Sequence, residues 1–176
     1  MIKVITYPVV LLAAALLWPK LAPSAVVPTK PATVPLTSDE VLMVSCINSE
    51  RESRGLPALS VDPLLVEVAR QHSADMAKRK YFSHIAPEPL PRTPIDRYGA
   101  ALGRPPATVV GENLGCCDQP IMWLIHRGMM ASTDHKANIL DREYVSVGVG
   151  VHVLADGQVW VTQMFRGELP KVGVGE

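Results

Sequence analysis

Aromatic residues are scarce, at 5% of the 176 residues, and no run of like charges breaks the chain. Formal net charge is zero. These two features leave nothing for nucleic acid to grip, neither a basic stripe nor a stacking platform, and they exclude an acidic or basic tail as well. The familiar catalytic signatures are missing too. There is no HExxH, no CxxC, no GxSxG elbow and no phosphate-binding GxxxxGK[ST] loop. Cysteine is limited to Cys46, Cys116 and Cys117, too few for a small domain held together by disulfides alone.

What is present is 48% hydrophobic character, enough at this length for one well-buried core. Lys3 precedes the apolar run Val4 to Trp18, the charged-then-apolar order of an export signal. As a helix that run rises only about 22 Å, short of a ~30 Å hydrocarbon core. Residues 1–25 are therefore expected to be a signal peptide, with retention as an N-terminal membrane anchor the open alternative, because Ala22-Pro23-Ser24 only loosely fits a cleavage site. Both readings place the remainder outside the cytoplasm, and both limit membrane contact to this segment. Prolines then punctuate the chain as far as Pro35, so residues 26–37 read as a stiff linker, with the folded domain expected over 38–167 and a short tail over 168–176.

Within the domain, Thr37-Ser38-Asp39-Glu40 has the form of a capping box, and Val41, Val44 and Ile47 continue a helix that Gly55 stops. Asp62-Pro63 starts a second helix, whose stripe of Leu65, Val68, Ala69, His72 and Met76 makes His72 a hydrogen-bonded core histidine. A short helix is expected from Pro94, capped by Thr93 and stopped by Gly103. Another runs through Ile121 to Met130, with Asp118 as its cap, and a last turn begins near His135. From Val145 to Val153 the period falls to two, and Asp156-Gly157 turns the chain into a second alternating run, Gln158 to Phe165. Helices first and an antiparallel pair last indicate an α+β fold with the valine face in the core.

His84 and His135 each lie at a break between elements, where sites form on rigid scaffolds. Glu112, in VVGENLGCC, suits a pocket floor, and a buried carboxylate there needs partners. Spacing alone does not join these three. The ordered segments NSERESRGLPALSVDPLLVEVARQHSADMAKRKYFSH, GEN, MMASTDHKANIL, VSVGVGV and WVTQMF, across residues 39–165, are together similar to the CAP superfamily (the SCP domain of cysteine-rich secretory, antigen 5 and pathogenesis-related proteins), and to its bacterial forms above all.

The resemblance implies an α-β-α sandwich with an antiparallel sheet, and a cleft collecting His84, Glu112 and His135, with Asn113 beside them. A second glutamate common in the family is absent from WLIHRGMM, so that place is either lost or filled by His126. Asp134 replaces the glycine usual before the last histidine, and reads as a cap for the following turn rather than as the partner that orients His135. Two imidazoles and a carboxylate suit Zn²⁺ with one position open, so His84, His135 and Glu112 are the expected metal ligands. The expected function is binding of a lipid-like or cell-envelope ligand by an exported, monomeric protein. A metal-dependent hydrolase or peptidase at the same cleft is the alternative, and a triad that only braces the fold is a third reading. Of the cysteines, Cys46 paired with Cys116 or Cys117 is the expected disulfide, closing about seventy residues, against three reduced thiols.

Overall fold

The computed structural model describes residues 34–89 and 91–168. The expected signal or anchor, most of the linker and all but the first residue of the tail lie outside these. The elements run α1 (Ser38–Glu52), β1 (Ser60–Val61), α2 (Pro63–Arg79), α3 (Pro94–Leu102), β2 (Val110–Cys117), α4 (Met122–Ala131), α5 (Thr133–Leu140), β3 (Tyr144–Val153) and β4 (Val159–Gly167).

Local chemistry starts the first three helices as expected. Thr37 and Glu40 exchange the two bonds of a capping box, Asp62 accepts from the Leu64 and Leu65 amides ahead of Pro63, and Thr93 pairs with Asp96 ahead of Pro94. Asp118 does not cap α4, which begins at Met122 with no side-chain cap. Asp134 is no cap either. It lies inside the first turn of α5, a full two-turn helix instead of a single turn, where its charge still favours the exposed helix amides.

The strands form one sheet in the order β1-β3-β4-β2. Only the short β1 is parallel to its neighbour; β3, β4 and β2 run antiparallel, and β2 forms an edge. The β3–β4 hairpin turns at Gly157, whose φ of 92° is the left-handed conformation that the Asp-Gly pair anticipates. Val147 and Val149 on β3, with Val159, Val161 and Phe165 on β4, pack against Met43 and Ile47 of α1, Ile125 and Met129 of α4, and Ile139 of α5. The opposite face carries Met164 against Leu65, Val68 and Ala69 of α2. Gly148 and Gly150 make that second contact possible: a Cβ at Gly150 would stand 2.1 Å from the backbone nitrogen of Arg70. The result is an α+β sandwich, helices on both faces of the sheet.

One buried cation ties the layers together. Arg51, at the end of α1 and fully buried, donates to the carbonyls of Pro57 (2.9 Å), Ile139 (2.9 Å), Asp141 (2.7 Å) and Tyr144 (3.3 Å), capping the C-terminus of α5 while fixing the entry to β3.

The three cysteines are free, so the expected bridge is not formed. Cys46 lines a groove between α1 and α4, whereas Cys117 lines a separate one between β2 and α4, and Cys116 is turned to the other sheet face, beside Leu114 and Met76.

Candidate functional site

Strand β2 runs beside β4 with Glu112 opposite Met164 and Leu114 opposite Thr162. Alternation then sends Glu112, Leu114 and Cys116 toward α2, and Asn113, Gly115 and Cys117 toward α4 and α5. Neighbours in sequence thus serve opposite layers of one edge strand.

The Glu112 side chain is 1% exposed, a position that a carboxylate holds only with partners. It has them. Nδ1 of His84 lies 2.8 Å from Oε1, and the Arg97 guanidinium bonds Oε2. His84 sits in the loop after α2, where Ser83 Oγ accepts from the Ile85 amide (3.1 Å) and shapes the turn. Arg97 arrives from α3, and its Nη1 also donates to the carbonyls of His84 (3.1 Å) and Arg92 (2.7 Å). One guanidinium therefore fixes both the carboxylate and the backbone of the histidine that shares it.

His72 completes the buried group. It is a satisfied core histidine, as expected, with Nε2 3.2 Å from the Ser83 carbonyl, yet that same nitrogen lies only 3.9 Å from Oε2 of Glu112. Burial drives its pKa down to about 4, with Arg97 adding to the fall and Glu112 opposing it, so the ring is neutral at pH 7. Tyr81 stands beside it, donating its hydroxyl to Asp75 (2.6 Å); burial and that carboxylate push the phenol pKa up.

Asn113 does not open into the cleft. It is fully buried and holds α5 in place: Nδ2 donates to the His135 carbonyl (3.0 Å) and to Gln163 Oε1 (3.0 Å), while its Oδ1 accepts from Asn138 (2.9 Å). Asn138 also donates to the Glu112 carbonyl (3.1 Å), so both faces of β2 are tied to the helix that carries His135.

The His135 ring lines a cleft of about 330 Å³ that wraps the edge strand, with Phe82, Leu114, Leu124, Ile125 and Met129 as its apolar walls. Burial lowers the pKa of His135, and nearby His84 lowers it further against the pull of Asp134. His135 shares no hydrogen bond with Glu112 or His84 among the described residues. His126 does not supply the missing family glutamate; it faces α1 across a different groove, 4.0 Å from Glu50.

The expected metal set fits only in part. Both Glu112 oxygens are engaged, and Arg97 puts positive charge beside Oε2, where a bound cation would be repelled. Among the described residues no three His, Cys, Asp or Glu side chains are grouped as metal ligands. What survives is a pair of imidazoles, the first oriented by a carboxylate.

Arg97 was invisible in sequence, a lone cation on a short helix in a proline-rich stretch with no motif around it. Nothing linked it to Glu112, fifteen residues on, before the chain was folded.

Residues 44–165 match the family model described as CAP, the cysteine-rich secretory protein family. The chain is 30% identical over 141 residues to the protein YkwD of Bacillus subtilis (strain 168), an alignment that takes in 80% of this chain and 51% of YkwD. The chain thus spans about half the length of that relative. Among solved structures it is similar to an extracellular protein containing an SCP domain from Bacillus anthracis (TM-score 0.66, 26% identity, 77% of this chain and 45% of that one). It shares its fold with an outer surface protein of Borrelia burgdorferi (TM-score 0.65, 16% identity, 77% of this chain and 97% of that one). With the ordered motifs, the sandwich and the matched span all agreeing, the chain belongs to the CAP family of cysteine-rich secretory proteins, in its bacterial form.

Proposed function

We propose that this protein acts outside the cytoplasm as a binding module, taking part of a lipid-like or cell-envelope molecule into the cleft around β2, with His84, Glu112 and His135 as its polar end. The observation that carries this reading is the cleft's composition. Phe82 and Leu124 are about half exposed at a concavity whose buried side chains are the apolar Leu114, Ile125 and Met129, with Ser132 and His135 among its polar groups. A neutral imidazole is a weak, switchable hydrogen-bonding group suited to a hydroxyl or ester rather than to a permanent ion. The volume lies at the small end of ligand sites, so the cleft takes one segment of a larger apolar molecule.

One observation favours a metal as a second reading. Glu112 accepts from Nδ1–H of His84, which fixes the tautomer and leaves Nε2 as a lone pair facing outward from a half-exposed ring. His84 Nε2 and His135 would then hold Zn²⁺, with Glu112 positioning His84 rather than ligating. Bound there, zinc would supply Lewis acidity.

The test uses cis-parinaric acid as a fluorescent apolar probe, with calorimetric titration of Zn²⁺ beside it. Saturable probe binding that Gly128→Trp blocks, at a cleft position where added bulk meets open space, supports the binding module. Zinc binding near one equivalent that His84→Ala and His135→Ala each abolish supports the metal. A folded protein that binds neither sinks both and leaves the triad as a brace.

A further inference from the structure

Helices α2 and α3 and the loop between them line a second, half-open pocket of about 320 Å³, separate from the β2 cleft. Its walls are Val68, Ala86, Pro91, Ala100 and Ala101, all short and apolar. Arg97, His72 and Asp75 supply polar atoms, with Gln71, whose amide donates to Glu67, at the exposed margin. The Arg97 side chain is 9% exposed, and its Nη1 and Nη2 are used, but its buried Nε–H has no acceptor among the described residues. A buried guanidinium donor left without a partner is costly, and such exceptions call for an explanation. Asp75 offers the complement. Tyr81 and Arg79 both use its Oδ2, which leaves Oδ1 open.

Charge narrows the occupant. The guanidinium is matched by Glu112 and Asp75 is matched by Arg79, so an ionic ligand would bring one unpaired charge into a largely apolar pocket. His72 is neutral and adds none. A neutral group that presents one acceptor and one donor on its two edges meets both open positions, and a peptide amide is that group. The small wall residues leave room beside it for a short aliphatic branch.

We propose that the pocket between α2 and α3 is a second binding site, for a neutral peptide-type amide with a small apolar side chain, its carbonyl accepting from Arg97 Nε–H and its N–H donating to Asp75 Oδ1. The site reads a peptide unit rather than a lipid, and it stands independently of the β2 cleft, sharing Arg97 and His72 with the polar cluster at its base.

The experiment is a titration of the ¹⁵N-labelled protein with N-acetyl-L-alanine N-methylamide, followed by NMR on the arginine Nε–Hε and backbone amide signals. The expected result is a saturable shift of the Arg97 Nε–Hε and the Ala100 and Ala101 amides, with Kd on the order of 1 mM for so small a probe. Acetate and methylammonium, each carrying half of the chemistry and a full charge, leave those signals unmoved. Arg97 substitution risks the fold, so Ala100→Phe and Ala101→Phe, at exposed positions of α3, are the blocking variants, each weakening the probe by about tenfold or more. His84→Ala keeps the carbonyl that Arg97 uses and leaves the affinity within about twofold. Shifts that stay linear to the solubility limit, that survive both blocking variants, or that track His135 and Phe82 instead overturn the proposal. Loss of cis-parinaric acid binding at the β2 cleft, with amide binding intact, would count against that cleft alone.

Discussion

Replacing Arg97 by methionine is the sharpest probe of the polar cluster, because it removes a charge while keeping most of the side chain's bulk. Glu112, 1% exposed, would keep only His84, whose own ring is half exposed and shared with water. Breaking a buried pair by deleting one partner costs about 3–5 kcal/mol, because the surviving charge stays desolvated. The remaining His84 bond pulls the figure toward the lower end, while the lost bonds to the His84 and Arg92 carbonyls push it up again. A loss of about 3–4 kcal/mol is expected, a large share of the stability of an ordinary domain. The double variant Arg97→Met with Glu112→Gln removes the stranded charge as well, so its cost should fall short of the sum of the two singles by about 2 kcal/mol. Urea unfolding at pH 7, followed by far-UV circular dichroism, measures all four proteins, with constant m-values certifying the comparison. An Arg97→Met loss below about 1 kcal/mol, or a double variant that costs the full sum, would refute the claim that this guanidinium neutralises the buried carboxylate.

Stability should also fall on mild acidification. A base whose folded pKa lies below its unfolded value takes its proton preferentially in the unfolded chain, so the contribution of His72 is complete above about pH 6.5 and is lost as pH falls toward about 4, amounting to about 3 kcal/mol; His72→Gln should flatten that slope in urea unfolding curves. His126 and His135, whose pKa values burial also lowers, steepen the same trend. Gly150→Ala should destabilise by about 3 kcal/mol or more in thermal melts, because the new methyl meets the backbone of Ala69 and Arg70, which cannot turn aside as a side chain can. Arg51→Met should cost at least about 3 kcal/mol, since four carbonyls lose a buried donor, and hydrogen exchange should quicken first at the end of α5 and the start of β3.

Much of this fold was legible because its signals are local. Thr37, Asp62 and Thr93 cap helices through atoms within three residues, and the valine alternation and Asp156-Gly157 announce a hairpin without reference to anything distant. Asp118 failed as a cap because irregular chain intervenes before α4, and cap chemistry does not reach that far. Strand β2 was illegible for a different reason. Its glycines and polar residues weaken the strand pattern, and its pairing partner lies some fifty residues on, so long-range contact alone makes it a strand.

The site shows the same division. His84, Glu112 and His135 are separated by 28 and 23 residues, and only the family resemblance joined them in sequence. The fold then divides them by pleat: Glu112 turns to α2 and bonds His84, while its neighbour Asn113 turns the other way and holds the helix of His135. The edge strand therefore separates the two groups, with Glu112 and His84 on its α2 face and the helix of His135 held from its other face. Arg97 satisfies one carboxylate oxygen from within the fold, and the other holds Nδ1 of His84. The charge needed to bury Glu112 comes from a residue outside every family segment quoted above, and that is why the chemistry of this cleft had to be read from the folded chain.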